Sequence, residues 1–158
     1  MPLFARAVFG VVNRLAARGG LLPEETEPPA DPAEAGRRRR RTGVRGETLA
    51  YWYLRRQGYT LVRRNYRSPR RRGEIDLIGW DGGVLVFIEV KTRTTDTGGP
   101  PERTVDAAKQ EELRAMARDY LARRRPGEVP CRFDVLALEA RPGVLPVIRL
   151  HKGAFGAE

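Results

Sequence analysis

Three acids and a lysine stand at spacings that suit chemistry on a phosphodiester. The stretch Gly73-Glu-Ile-Asp-Leu-Ile-Gly-Trp80 leads through Asp81-Gly82-Gly83 into Val84-Leu-Val-Phe-Ile-Glu-Val-Lys91. Two runs of strand character flank the glycine pair, which suits a two-residue hairpin because both central positions can take positive φ. In that register Asp76 faces Glu89 and Glu74 faces Lys91, and a side-chain period of two puts all four on one face. A slip of one residue would carry Asp76 to the face opposite Glu89. Glu89 and Lys91 interrupt a run of Val, Leu, Phe and Ile that otherwise reads as an interior strand. Charges there are costly unless paired or bound to metal. Carboxylates are hard oxygen ligands for Mg²⁺ or Mn²⁺, and such an ion would polarise a phosphodiester and acidify its water. Lys91 would then orient that water or stabilise the developing phosphorane charge. The plainer alternative is a structural salt bridge across a hairpin.

The elements that must position these residues form an α/β pattern. Thr42 reads as an N-cap for a helix over residues 43–57, with Leu49, Ala50, Tyr53 and Leu54 on one face and Gly58 as its stop. Strands are predicted at Tyr59–Tyr66, Gly73–Trp80 and Val84–Thr92, followed by a polar Gly/Pro-rich loop from Thr94 to Pro101. Val105, Ala108, Leu113, Met116, Ala117, Tyr120 and Leu121 recur with helical period, giving a long helix to about Arg124. Strands at Arg132–Leu138 and Val144–Leu150, joined by Arg141-Pro142-Gly143, complete the order αβββαββ. Upstream, residues 3–18 carry apolar positions at helical spacing and predict a short amphipathic helix ended by Gly19-Gly20. Pro23 to Gly36 reads as a flexible linker, and Arg37 to Arg41 as a solvated basic cluster, with nucleic-acid contact as its sharper alternative. The chain therefore divides into an N-terminal extension, 1–41, and one domain, 42–158.

Composition narrows the partners. Thirty Lys and Arg against twenty Asp and Glu leave a formal charge of +10, a bias that attracts a polyanion. One cysteine, Cys131, and one histidine, His151, exclude an internal disulfide, a cysteine-rich zinc site and a His-rich metal cluster. No apolar run reaches the roughly 18 residues that span a bilayer. The run Ala7–Val12 is too short, and too closely followed by Arg14, to read as a good signal segment. Cytoplasmic residence is the expectation, with no stable membrane insertion.

With these residues in view, a family resemblance emerges. Asp76 followed by Glu89-x-Lys91 looks like the PD-(D/E)xK nuclease signature. Together with Arg45-Gly46-Glu47, Gly73-Glu74-Ile75-Asp76, Phe87 to Arg93 and Cys131-Arg132-Phe133-Asp134-Val135, it resembles the bacterial YraN-like family, whose domain is similar to archaeal Holliday-junction resolvases. The resemblance covers about Gly43 to Phe155. It implies a restriction-endonuclease-like core with a mixed five-stranded sheet flanked by helices. It also implies that Glu47, Asp76 and Glu89 are metal-binding acids and that Asp76, Glu89 and Lys91 are catalytic. An acid in a helix's first turns is favoured by the macrodipole in any case, so Glu47 has a bland reading too. Gly46 before it would allow close approach of helix and sheet. Glu74 stands behind these ligands, pairing with Lys91 or with an arginine. The first forty residues have no counterpart in the shared domain, and Gly153 stands where the resemblance calls for a polar residue.

A path for nucleic acid follows from the arginines. Arg63, Arg64, Arg67, Arg70, Arg71 and Arg72 crowd the connection between the first two strands, beside Tyr66, and would hold a backbone phosphate over the acids. Arg93, Lys109 and Gln110 would extend the track, with Arg114 and Arg118 beyond; the plainer alternative is a solvated arginine loop. The leading reading is a Mg²⁺- or Mn²⁺-dependent endonuclease-like phosphodiesterase on DNA rather than RNA. The likeness to resolvases adds branched DNA as a candidate substrate and a homodimer as a candidate assembly. The alternative is a non-catalytic nucleic-acid-binding module that keeps the nuclease fold. A third reading is a peripheral membrane protein that uses residues 3–18.

Overall fold

The structure is a computed structural model that describes residues 2–20, 31–93, 105–141 and 143–156. Its elements run α1 (Pro2–Leu15), a π-helical turn (Ala16–Gly20), α2 (Pro32–Arg56), β1 (Thr60–Tyr66), β2 (Ile75–Asp81), β3 (Val84–Arg93), α3 (Ala107–Arg124), β4 (Cys131–Glu139) and β5 (Val147–Phe155). The five strands form one sheet in the order β1-β2-β3-β4-β5. Only β3 and β4 run parallel, and α3 makes the crossover that a parallel pair requires. The predicted mixed sheet and the order αβββαββ from α2 onward are what the chain forms. The predicted loop at Thr94–Pro101 lies outside the described residues, as does most of the predicted linker.

Each face of the sheet is covered by a helix. Leu49, Ala50 and Leu54 of α2 pack with Leu77, Val86, Ile88, Leu136 and Leu138 on one side. Leu113, Met116, Ala117 and Tyr120 of α3 pack with Ile78, Leu85, Phe87, Phe133 and Val135 on the other. Ala108, part of the helical period in the sequence, is exposed at the start of α3.

β1 and β2 begin one and two residues later than expected, and two larger boundary shifts and one packing contact also differ from expectation. α2 starts at Pro32, not at residue 43, because Asp31 caps it by accepting a 2.9 Å hydrogen bond from the Ala33 N–H, with proline in the first turn. Thr42 and the arginine run therefore lie inside a continuous helix, which passes straight through residue 42. Upstream, α1 is not an appendage: Phe9 and Ala16 join the α2 core, with Phe9 edge-on to Tyr53 and the Arg56 guanidinium 5.0 Å from its ring. Finally, β5 begins only after Pro146, which lacks an N–H for the ladder, and it continues through His151 to Phe155.

Gly82 and Gly83 do turn β2 into β3. The register pairs Asp81 with Val84 and Leu77 with Ile88, the pairing expected for a two-residue connection. Gly82 takes the left-handed conformation at φ +59°, and only the first central position of the turn needs it.

Candidate active site

The β2–β3 hairpin carries the acids to the end of the sheet where the two strands leave their ladder. The ladder ends at the pair Leu77–Ile88, and beyond it the Val90 N–H donates to Asp76 Oδ2 at 2.7 Å. Asp76 thus caps the hairpin's open end while Glu89, on β3, turns toward α3. Glu89 is sealed in, with 6% exposure. Its Oε1 lies 2.7 Å from Lys91 Nζ. Its Oε2 is buried, has no hydrogen-bond partner, and lies 3.9 Å from Lys109 Nζ. Lys109 is held instead by Glu112, 2.7 Å away one turn along α3.

Electrostatics reflect this crowding. Burial pushes the Asp76 carboxyl up to about 7, and the charges of Glu89 and, more weakly, Glu47 push the same way; the Val90 N–H and the Lys109 ammonium offset them only in part. For Lys109, burial works against the ammonium, but the Glu112 hydrogen bond and the charges of Glu89, Glu112 and Asp76 outweigh it, and its pKa rises.

Glu47 reaches the same end of the sheet from α2. The close approach is set by Gly46: a Cβ there would stand 2.0 Å from Thr92 Oγ1 and 3.3 Å from Leu138 Cδ1. The Glu47 carboxylate, however, is taken up by Asn65, whose Nδ2 donates 2.7 Å bonds to both Glu47 Oε2 and Glu74 Oε1. Glu74 also accepts from Arg67 Nε at 2.6 Å, so of its two expected partners it meets an arginine. Among the described residues no three Asp, Glu, His or Cys side chains form a group that could hold a metal ion. The hairpin brings Asp76 and Glu89 together, and Glu47 stands beside them, tied to Asn65.

Asn65 is the site residue that sequence reasoning missed. It sits in β1 at φ +48°, a left-handed conformation that asparagine tolerates better than most side chains. An asparagine inside a strand-like run was the available signal.

The expected nucleic-acid contacts divide. Arg63 is exposed on β1, which is an edge strand, and Arg70, Arg71 and Arg72 are exposed in the turn before β2. Arg64 lies over the Tyr51 ring at 5.1 Å and donates to Thr48 Oγ1, which ties it to α2. Arg67 is committed to Glu74. Gln110 donates to the Val105 carbonyl at 3.0 Å, and Lys109 faces Glu89 rather than open solvent. Arg93 ends β3 opposite Glu139 of β4. Of the more distant arginines, Arg114 donates to the Gly156 carbonyl and Arg118 to Glu111.

The last motif serves the scaffold. Asp134, 1% exposed, accepts from Arg132 Nε at 2.9 Å and from the Gly153 N–H at 2.9 Å. Arg132 and Lys152 both reach Asp81 Oδ2. Gly153 is glycine because φ is +62° where β5 shifts register against Phe133 and Val135. His151 of β5 pairs with Val135 of β4.

Comparison with known proteins agrees with the motifs. A model of the uncharacterised protein family UPF0102 matches residues 46–138, a span that includes Glu47, Asp76, Glu89, Lys91 and Asp134. A UPF0102 protein of Solibacter usitatus is 49% identical over 110 residues, covering 70% of this chain and 82% of the relative. One of Symbiobacterium thermophilum is 48% identical over 118 residues, 75% of this chain and 98% of the relative. One of Koribacter versatilis is 45% identical over 148 residues, 92% of this chain and 95% of the relative. The family model begins only at residue 46, so the shared domain leaves out the first forty residues, whereas the Koribacter match is broad enough to extend into residues 1–41. With the family model spanning most of the sheet and relatives matched along nearly their whole length, the chain belongs to the YraN-like family UPF0102.

Proposed function

We propose that this protein is a Mg²⁺- or Mn²⁺-dependent phosphodiesterase acting on DNA, built on a restriction-endonuclease-like core. One observation carries the reading: Glu89 is a buried acid whose Oε2 has no hydrogen-bond partner, flanked by Lys91 and near enough to Asp76 for its charge to push the Asp76 carboxyl up. A buried acid with an unsatisfied oxygen, next to a second acid, is costly for folding alone and useful around a cation. The donor set fits: Mg²⁺ is usually bound by one or two carboxylates, waters and substrate phosphate oxygens, so Asp76 and Glu89 suffice without a third acid. When bound, the ion would supply Lewis-acid activation of a phosphodiester and of a water. Asp76 and Glu89 would hold the ion, the Val90 N–H fixes the Asp76 carboxylate by its hydrogen bond to Oδ2, and Lys91 offers an ammonium to developing negative charge. Glu47 acts on Asp76 through its charge. The exposed Arg63 on β1 and Arg70, Arg71 and Arg72 in the turn before β2 suit a DNA backbone. Branched DNA and a homodimer that cuts two strands are the finer version of this reading, and a single free cysteine, Cys131, suits the cytoplasm.

A second reading has its own support. The Lys91–Glu89 pair and the absence of a three-ligand group among the described residues suit a nucleic-acid-binding module that cuts nothing. A cleavage panel of single-stranded, duplex, flap and four-way DNA and RNA, with Mg²⁺ or Mn²⁺, separates the two. Metal-dependent cleavage lost in Asp76→Asn supports the enzyme. Salt-sensitive binding without cleavage on any substrate supports the module.

A further inference from the structure

α1 has two apolar stripes and uses only one of them inside the protein. Ala5, Phe9 and Ala16 are buried, and half-buried Val12 packs with the α2 core. One residue back along the helix, and so about 100° around it, Phe4, Val8, Val11 and Leu15 repeat the same spacing, with Val8 half-buried and the other three outside. Phe4 is 66% exposed, Val11 57% and Leu15 57%, with Leu3 beside them at 79%. Arg14 and Arg18 border this outer stripe and are exposed, and residues 2–20 contain Arg6, Arg14 and Arg18 but no acid. Trp52 of α2 meets Phe4 edge-on at 6.3 Å, adding an aromatic of the kind favoured at a membrane–water boundary. Among the described residues no helix is long and apolar enough to cross a membrane.

We propose that the outer face of α1 docks on an anionic lipid surface, with Phe4, Val11 and Leu15 entering the acyl boundary and Arg14 and Arg18 meeting lipid phosphates. An amphipathic helix lying in the interface needs this combination of an apolar stripe and bordering cations. DNA would answer the arginines but leave three large apolar side chains in water. A second copy docked face to face would answer the apolar stripe, but with arginines and no acid in residues 2–20 it offers Arg14 and Arg18 no counter-charge there. The lipid surface satisfies both halves at once, and it does so independently of any chemistry at Asp76 and Glu89.

The test is flotation of the full chain with vesicles of phosphatidylcholine alone or mixed with phosphatidylglycerol. The parent is expected to float with the anionic vesicles and not with the neutral ones. Phe4→Ser with Val11→Ser and Leu15→Ser, and separately Arg14→Gln with Arg18→Gln, should each lower binding by about tenfold or more. The arginine pair, exposed at the surface, keeps the test decisive should the serine triple lose helix. Failure of the parent to float with either vesicle would overturn the proposal, as would flotation unchanged in both variants. A parent dimer that the serine triple converts to a monomer would overturn it too, by giving the face to a second copy.

Discussion

Lys91 and Glu89 share a face of β3 two residues apart, with Nζ 2.7 Å from Oε1. The contact neutralises one oxygen of a buried acid and leaves the other facing Lys109 from 3.9 Å, outside hydrogen-bond range. An arrangement that half-satisfies a charge is poor as a fold stabiliser and well suited to exchanging an internal partner for a bound one.

The catalytic reading makes graded demands. Asp76→Asn and Glu89→Gln should each lower single-turnover cleavage by about 10³-fold or more, and Lys91→Met by about 10²-fold, with DNA affinity little changed. Glu47→Gln, tied to Asn65, should cost less than either acid of the hairpin. Cleavage at the parent's rate in Asp76→Asn would place the chemistry elsewhere.

Asp76 couples stability to pH in a direction that the geometry fixes. Its folded-state pKa, raised to about 7 by burial and by Glu89, lies above the ordinary aspartate value of 3.8, so the folded protein holds the proton longer than the unfolded chain. Its contribution is therefore favourable at low pH and is lost as pH rises between those values. In metal-free thermal melts the parent should lose stability across that window relative to Asp76→Asn. Mn²⁺ or Mg²⁺ should then raise the melting midpoint more at about pH 8 than at about pH 5, because ion and proton compete for the same carboxylate. Equal metal-induced shifts at both pH values would separate Asp76 from the ion.

Asn65 bridges Glu47 and Glu74 from a left-handed backbone, and two substitutions separate these roles. Asn65→Gly keeps the backbone and loses the bridge, while Asn65→Ala loses both. Denaturant melts should show both variants destabilised, by about 1–3 kcal/mol for the unbridged acids, with alanine the worse by about 1 kcal/mol. Glycine and alanine variants equal to each other would show that the backbone conformation carries no cost.

Asp134 anchors the opposite end of the sheet. Asp134→Asn removes one of the two acids on Arg132, leaving Asp81, and should cost about 1–3 kcal/mol. A milder signature comes from Asp81, held at about 2 by its hydrogen bond to Lys152 and then by Arg132. Its contribution is present above the ordinary aspartate range and is lost as pH falls through its depressed value. Lys152→Met should therefore flatten the acid limb of the stability curve.

Local rules made the hairpin legible. A glycine pair between two alternating runs sets the register of Asp76 against Glu89, and Gly46 announces the close contact of α2 with Thr92. What escaped depends on longer-range or competing terms. Composition drew attention to a linker before Arg37, yet Asp31-Pro32 is a sufficient start signal and arginine a good helix former, so α2 is eleven residues longer at its start, Pro32 against residue 43. Lys109 reads as part of a DNA track until the rotational setting of α3 on the sheet turns it to Glu89, which no local pattern encodes. The burial of Phe9 against Tyr53 likewise requires knowing that α1 folds back.

The mixed sheet also sets an order of events during folding. Asp76 and Glu89 meet by closure of a tight hairpin, an event of about 1–10 μs in isolation. Lys109 reaches Glu89 from the crossover helix, whose placement is tied to the parallel pairing of β3 with β4, a contact of far greater sequence separation and slower to form. The two acids are thus expected to be neighbours before α3 supplies its cation. On the proposed metal-binding reading a divalent ion would have a kinetic opening during that interval, and refolding in Mn²⁺ should be faster than in chelator for the parent but not for Glu89→Gln.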